Sequence, residues 1–204
     1  MAASLYPAIY THLTGGSIVF ASDTIKAAIT TSAYTPALTD DFFNDVTNEV
    51  VGTGYTAGGA TLASKTATLT AANSWGTSRA NSTAYNLGDV VRPATGNGYL
   101  YQAVVAGTSG GSIPTYPTVV GQTVADGGVT WVCKGRYVMA LDAADPSWPS
   151  STITGRTVVI YKSTGTGSTS PLICYDTAAA DVSSTNGTWT YQIATNGYAL
   201  FFMD

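Results

Sequence analysis

Residues 156–177, RTVVIYKSTGTGSTSPLICYDT, constrain the fold more than any other stretch. The run 156–164 is dense in β-branched and aromatic side chains, which fit an extended chain. TGTGSTS is a flexible turn, and PLICYDT (171–177) completes a hairpin. The same habit recurs along the chain. In SIVFASDTIKAAIT, Ile18 and Phe20, then Ile25, Ala27 and Ile29, alternate at period two and predict two strands. ATLASKTATLTA (60–71) predicts another. GTWTYQIA and GYALFFM predict two final strands, separated by Thr195-Asn196-Gly197, where Asn-Gly is a strong hairpin signal. Only residues 4–13 read as a helix, with Pro7 in the first turn and Gly15-Gly16 as the stop. DDFFNDV (40–46) reads as a loop or a single helical turn. Strands at this spacing, with almost no helix, predict an all-β antiparallel protein.

Residues 74–135 differ in character. They hold Trp75, Tyr85, Tyr99, Tyr101, Tyr116 and Trp131 among Gly- and Pro-rich turns. The simplest organisation is an insertion. A β-sandwich-like outer domain, 1–73 plus 136–204, carries the short N-terminal helix and is interrupted by a small β-module at 74–135. Exposed loop tips tolerate such insertions, and the two ends of the insert are expected close together.

Charge narrows the function. Charged residues make up 10% of the 204, and the formal net charge is −4. The eight basic residues are scattered, so no stripe exists to neutralise phosphates, and neither nucleic-acid nor anionic-membrane binding is expected. The opening MAASLYPAIYTHLTGG lacks the positive and apolar regions of a signal peptide, so synthesis and folding in a cytoplasm are expected. Cys133 and Cys174 lie in apolar strand-like runs and are expected as buried free thiols.

Two resemblances sit on these segments. SLYPAIYTHLTGGSIVFASDTIKAAITTSAYTP, DFFNDVTNEVVGTGYTAGGATLASKT and LDAADPSWPSSTITGRTVVIYKSTGTGSTSPLICYDT together resemble a family of small tailed-bacteriophage structural proteins. The carrying pieces are SDTIKAAI, the Gly-rich GYTAGG patch and the VVIYK hairpin. The insert, with its GDVV strand and later DGGVTW, resembles aromatic β-modules of phage fibres and, in its front half, chitin- and cellulose-binding modules.

Catalytic chemistry finds little support in the residues. His12 is the only histidine, so a triad would have to use it, and a partly exposed structural histidine is the plainer reading. Asp40, Asp41, Asp45 and Glu49 form one acidic cluster without the spacing of a calcium loop, and read as a solvated loop. GTGYTAGGA lacks the Lys-Ser/Thr and helix of a P-loop. Among the insert aromatics, Trp75, Tyr85, Tyr101 and Trp131 are assigned to the core. Tyr99 and Tyr116 are assigned to exposure, as contacts for a glycan or a partner. The resemblances imply a non-enzymatic virion protein without a cofactor, decorating or cementing the capsid exterior as a dimer or trimer. Its partners would be the major capsid protein and its own copies, with the insert projecting outward. The alternative is a glycan-binding, host-attachment component of a tail or head fibre.

Overall fold

The computed structural model describes residues 3–194, 197 and 199–204. Strands make up 45% of it and helix 8%, and the strands pair antiparallel. Thr195 and Asn196 of the expected terminal hairpin lie outside the described residues. The chain divides into two compact units, 3–67 with 141–199, and 68–140 with 200–204.

The first unit contains β1 (Ser4–Leu5), α1 (Ile9–Thr14), β2 (Ile25–Thr30), β3 (Ala60–Thr61), β12 (Ser147–Lys162) and β13 (Leu172–Thr190). They form one sheet in the order β1-β13-β12-β2-β3, with α1 outside it. Val159 pairs with Ala28 on one side and Tyr175 on the other; Ile160 pairs with Ala27 and Cys174. Successive residues of β12 point to opposite faces, and Val158 to Tyr161 are all buried. The sheet is therefore covered on both faces, which accounts for the unbroken apolar run in place of alternation. One face packs Tyr6, Ala28, Tyr34, Val159, Tyr161 and Leu172.

The ribbon of β12 and β13 folds over. Ser150 and Asn186 stand on its two strands with φ of 50° and 47°, where the register slips between Trp148 and Ile153. The Trp189 indole then donates to the Val182 carbonyl at 3.1 Å, and the Tyr191 hydroxyl to Asp176 at 3.1 Å. A straight strand advances about 3.3 Å per residue, so an indole could not span seven residues without the bend. Pro149 sits in the irregular stretch, where its missing N–H breaks no ladder.

The second unit holds β5 (Ala84–Tyr85), β6 (Val90–Val91), β7 (Leu100–Val105), β8 (Gly107–Thr108), β9 (Thr123–Asp126), β10 (Val129–Gly135) and β14 (Ala199–Met203). β4 (Thr66–Ala71) and β11 (Tyr137–Asp142) lead into and out of it. A four-stranded sheet, β6-β7-β10-β9, and a three-stranded sheet, β14-β11-β4, bracket a core of Ala72, Trp75, Val90, Leu100 and Val138, backed by Leu200 and Phe202. On the far face of the larger sheet Val91, Tyr101, Ala103, Val129, Trp131 and Cys133 pack with Tyr99 and with Tyr85 of the separate β5-β8 pair.

Several expectations need correction. Ile18 and Phe20 are buried but lie outside any strand, Ile18 in irregular chain and Phe20 in a turn, because the Asp23 carboxylate accepts from the Val19 N–H and closes the chain locally. Residues 4–5 pair as a strand with β13, and the helix begins only at Ile9. The stretch 60–71 is two strands in different sheets. Residues 187–190 continue β13 and start no new strand. The last strand pairs with β11, the Arg136 N–H donating to the Met203 carbonyl at 2.8 Å, so it belongs with the middle segment and not with the outer domain.

Candidate functional site

The aromatic hairpin of the middle unit is core. Gly96 and Gly98 turn it with φ of 47° and 82°, and Asn97 bonds the Tyr99 N–H and the Tyr101 hydroxyl. Tyr99 and Tyr101 are two residues apart on extended chain, so they share a face, and that face is covered. Tyr99 is 8% exposed, with its hydroxyl accepting from Arg136 at 2.8 Å. The expectation of an exposed Tyr99 therefore fails on strand parity. Tyr116 packs its ring on Tyr101 at 4.4 Å, and its hydroxyl is buried with no hydrogen-bond partner among the described residues. Trp75, Tyr85, Tyr101 and Trp131 are buried, and Tyr85 meets Trp131 edge-on at 4.9 Å. Burial pushes the Tyr101 phenol up to about 12. No open aromatic platform for a sugar remains on this face.

DGGVTW is a structural device. Asp126 pairs with Val129 across a two-glycine turn, and Gly127 has φ of 64° with no space for a side chain beside the Thr108 carbonyl. This turn places the Asp126 carboxylate in the interior. It accepts from Arg79 Nη2 at 2.6 Å and Nε at 2.9 Å, from the Trp131 indole at 2.8 Å and from the Gly110 N–H at 2.9 Å. Arg79 Nη1 also donates to Asn81, and the second Nη2 hydrogen is shared between the Gly110 and Ser112 carbonyls. Burial raises the carboxyl, but the bonds from Arg79, Trp131 and Gly110 outweigh it, and the net shift is downward.

The acidic cluster of the other unit is likewise spent internally. Asp40 accepts from the Tyr34 hydroxyl, Asp45 from the N–H groups of Asp41 and Phe42, and Glu49 from the Tyr55 hydroxyl and the Gly58 N–H, both at 2.6 Å. The last pair shapes the GYTAGG loop, whose Gly59 backs onto the Ala27 carbonyl. Among the described residues no group of three or more His, Cys, Asp or Glu is placed to hold a metal ion. Both cysteines are buried and free.

One cleft of about 190 Å³ opens in this first unit. Its wall is Phe42, tied to Pro171 by a β-bridge, with His12 edge-on to the Phe42 ring at 5.3 Å. Ser17, Lys162 and Ser168 line the rest, with the hydroxyls of the 164–169 loop. His12 Nε2 lies 2.5 Å from Asp41, and Lys162 Nζ lies 3.0 Å from Asp23 and 2.8 Å from the Ser17 carbonyl. Of these residues the sequence reading singled out His12 and, within the acidic cluster, Asp41. The lining residues lie up to 159 residues apart, from His12 to Pro171, and no local signal joins them.

Comparison of the chain with protein-family models, curated proteins and solved structures gave no match.

Proposed function

We propose that the protein is a non-enzymatic structural component of a tailed-phage virion, present in many copies on the capsid exterior as a decoration or cement protein. The outer edge of β13 carries this reading. β1 pairs with β13 only at Tyr175 and Cys174, so residues 177–190 have no strand on that side among the described residues. The stretch TAAADVSSTNGTWT is largely exposed, with small and hydroxyl-bearing side chains. An unpaired edge of this kind supplies backbone and hydroxyl groups for contact with a neighbouring subunit. It is also restrained. Between Gly155↔Val182 and Thr157↔Thr177, β13 carries three more residues than β12, and Arg156 holds the bulge through Asp181 at 3.2 Å. Bulges bend an edge and oppose open-ended stacking. The resemblance of the outer segments to phage structural proteins agrees with this assignment, as does the internal use of the acidic side chains. A closed symmetric lattice implies contacts to the major capsid protein and to copies of the chain itself.

Quantitative gel densitometry of purified particles tests it. A decoration protein should be present at on the order of hundreds of copies per particle, as repeated capsid sites require. A few dozen copies would move the protein to a tail or head fibre, and absence from particles would end the reading.

A further inference from the structure

The geometry points to the Phe42–Pro171 cleft as a binding site for a single neutral pyranose ring, such as a terminal sugar of a surface glycan. The cleft would bind such a ring wherever the protein is carried. First, size: drug-sized ligands occupy pockets of about 300–1,000 Å³, and at about 190 Å³ this cleft suits one ring. Second, the wall: the half-buried Phe42 ring and Pro171 form an apolar side against which the C–H face of a sugar can lie. Phe42 is held in place by its bridge to Pro171 and by Asp45, which accepts from its N–H at 3.1 Å.

Third, the polar side has capacity left. An ammonium group has three donors. Lys162 gives one to Asp23 and one to the Ser17 carbonyl, and keeps the third. The Ser17 and Ser168 hydroxyls line the cleft, sit on exposed residues and have no hydrogen-bond partner among the described residues. By contrast, the Thr164 and Thr169 hydroxyls bond each other at 2.7 Å and shape the rim. Fourth, charge: Lys162 is paired with Asp23 and His12 with Asp41, so the described residues of the cleft offer directed hydrogen bonds without a free cation. That combination selects a polyhydroxyl ring over an anion.

The test is a ¹H–¹⁵N NMR titration of the full chain with methyl glycosides of glucose, galactose and N-acetylglucosamine, beside glucuronate and inorganic phosphate. At least one neutral glycoside should shift the Phe42, Lys162 and Ser168 amides, with a Kd on the order of 1 mM, as expected of one small ring. Ser168→Trp, at an exposed position, should fill the cleft and abolish the shifts while the rest of the spectrum stays native. Phe42→Leu should weaken binding by about tenfold through loss of the aromatic face. Ser17→Val is a second exposed variant should Phe42→Leu fail to fold, and it should also weaken binding. No response to any neutral glycoside overturns the proposal, as do shifts that survive Ser168→Trp. Tighter binding of glucuronate or phosphate than of every neutral glycoside makes the cleft an anion site and overturns it equally.

Discussion

Asp126→Asn should collapse the middle unit far more than its near-isosteric shape suggests. The Arg79 and Asp126 side chains are 0% and 1% exposed, so water cannot take over from a lost partner. The carboxylate accepts four hydrogen bonds, two of them from Arg79. An amide keeps one acceptor, turns an NH₂ towards existing donors and leaves the guanidinium charge buried alone. Breaking one side of a buried pair costs about 3–5 kcal/mol. A unit of this size has a total stability of about 4–12 kcal/mol at 0.05–0.15 kcal/mol per residue, so the variant should be marginal. Urea unfolding by tryptophan fluorescence gives the loss, and hydrogen exchange of residues 123–135 assigns it to this unit. The pH dependence supplies a second reading. The folded carboxyl lies below its ordinary value, so its stabilisation is complete above the unfolded pKa of about 3.9 and is lost as pH falls through the folded value. Wild type should lose stability on acidification through that window, and Asp126→Asn should lack this component. A cost below about 1 kcal/mol, the size of a surface pair, or an unchanged acid slope, would refute the reasoning.

Three further outcomes are expected. Tyr116→Phe removes a buried hydroxyl without a partner among the described residues, so it should be neutral or raise stability by up to about 1 kcal/mol, whereas Tyr101→Phe, which loses a 2.6 Å bond to the Pro117 carbonyl, should cost about 1–2 kcal/mol in the same denaturation assay. Gly59→Ala should lower the first unit's melting temperature sharply, because a Cβ there would lie 1.9 Å from the Ala27 carbonyl oxygen at a φ of 71°; an unchanged calorimetric midpoint would count against the register of β2 and β3. Excising 75–134 should yield an aggregating protein, since it strips Trp75, Val90 and Leu100 from Val138, Leu200 and Phe202. Joining residue 67 to 141 through a short turn and ending the chain at 199 should instead keep cooperative melting in differential scanning calorimetry, because the bonds Ala72 N–H to Arg136 and Ala144 N–H to Ala63 set those positions opposite each other.

What could be read from the sequence followed local rules. The β12–β13 root was legible because VVIYK and PLICY are continuous apolar runs beside a turn of Gly, Ser and Thr. The all-β class followed from period-two segments at regular spacing, and the coreward assignment of Trp131 from the shortage of aliphatics in so small a module. Ile18 and Phe20 misled because alternation says nothing of a carboxylate, here Asp23, that caps the backbone four residues on. Tyr99 shares strand parity with Tyr101, so the two belong on one covered face, against the expectation of exposure. The stretch AAADVSSTNG drew no strand expectation, yet its pairing with β12 keeps it extended. Arg79 and Asp126 stand 47 residues apart, and the walls of the cleft further still. Nothing in a single sequence links such positions.

The placement of the last strand has a consequence for biosynthesis. β11 is complete at residue 142, but its partner on one side is not made until residue 203. At roughly 5–20 residues per second, the nascent middle unit waits several seconds with that side open. β2 waits longer, since β12 lies more than 110 residues downstream. Such strands cannot close in order of synthesis, so the chain leaves the ribosome with sticky apolar segments. Its yield in a cell should therefore depend on holdase chaperones and on growth temperature more than its final stability would suggest.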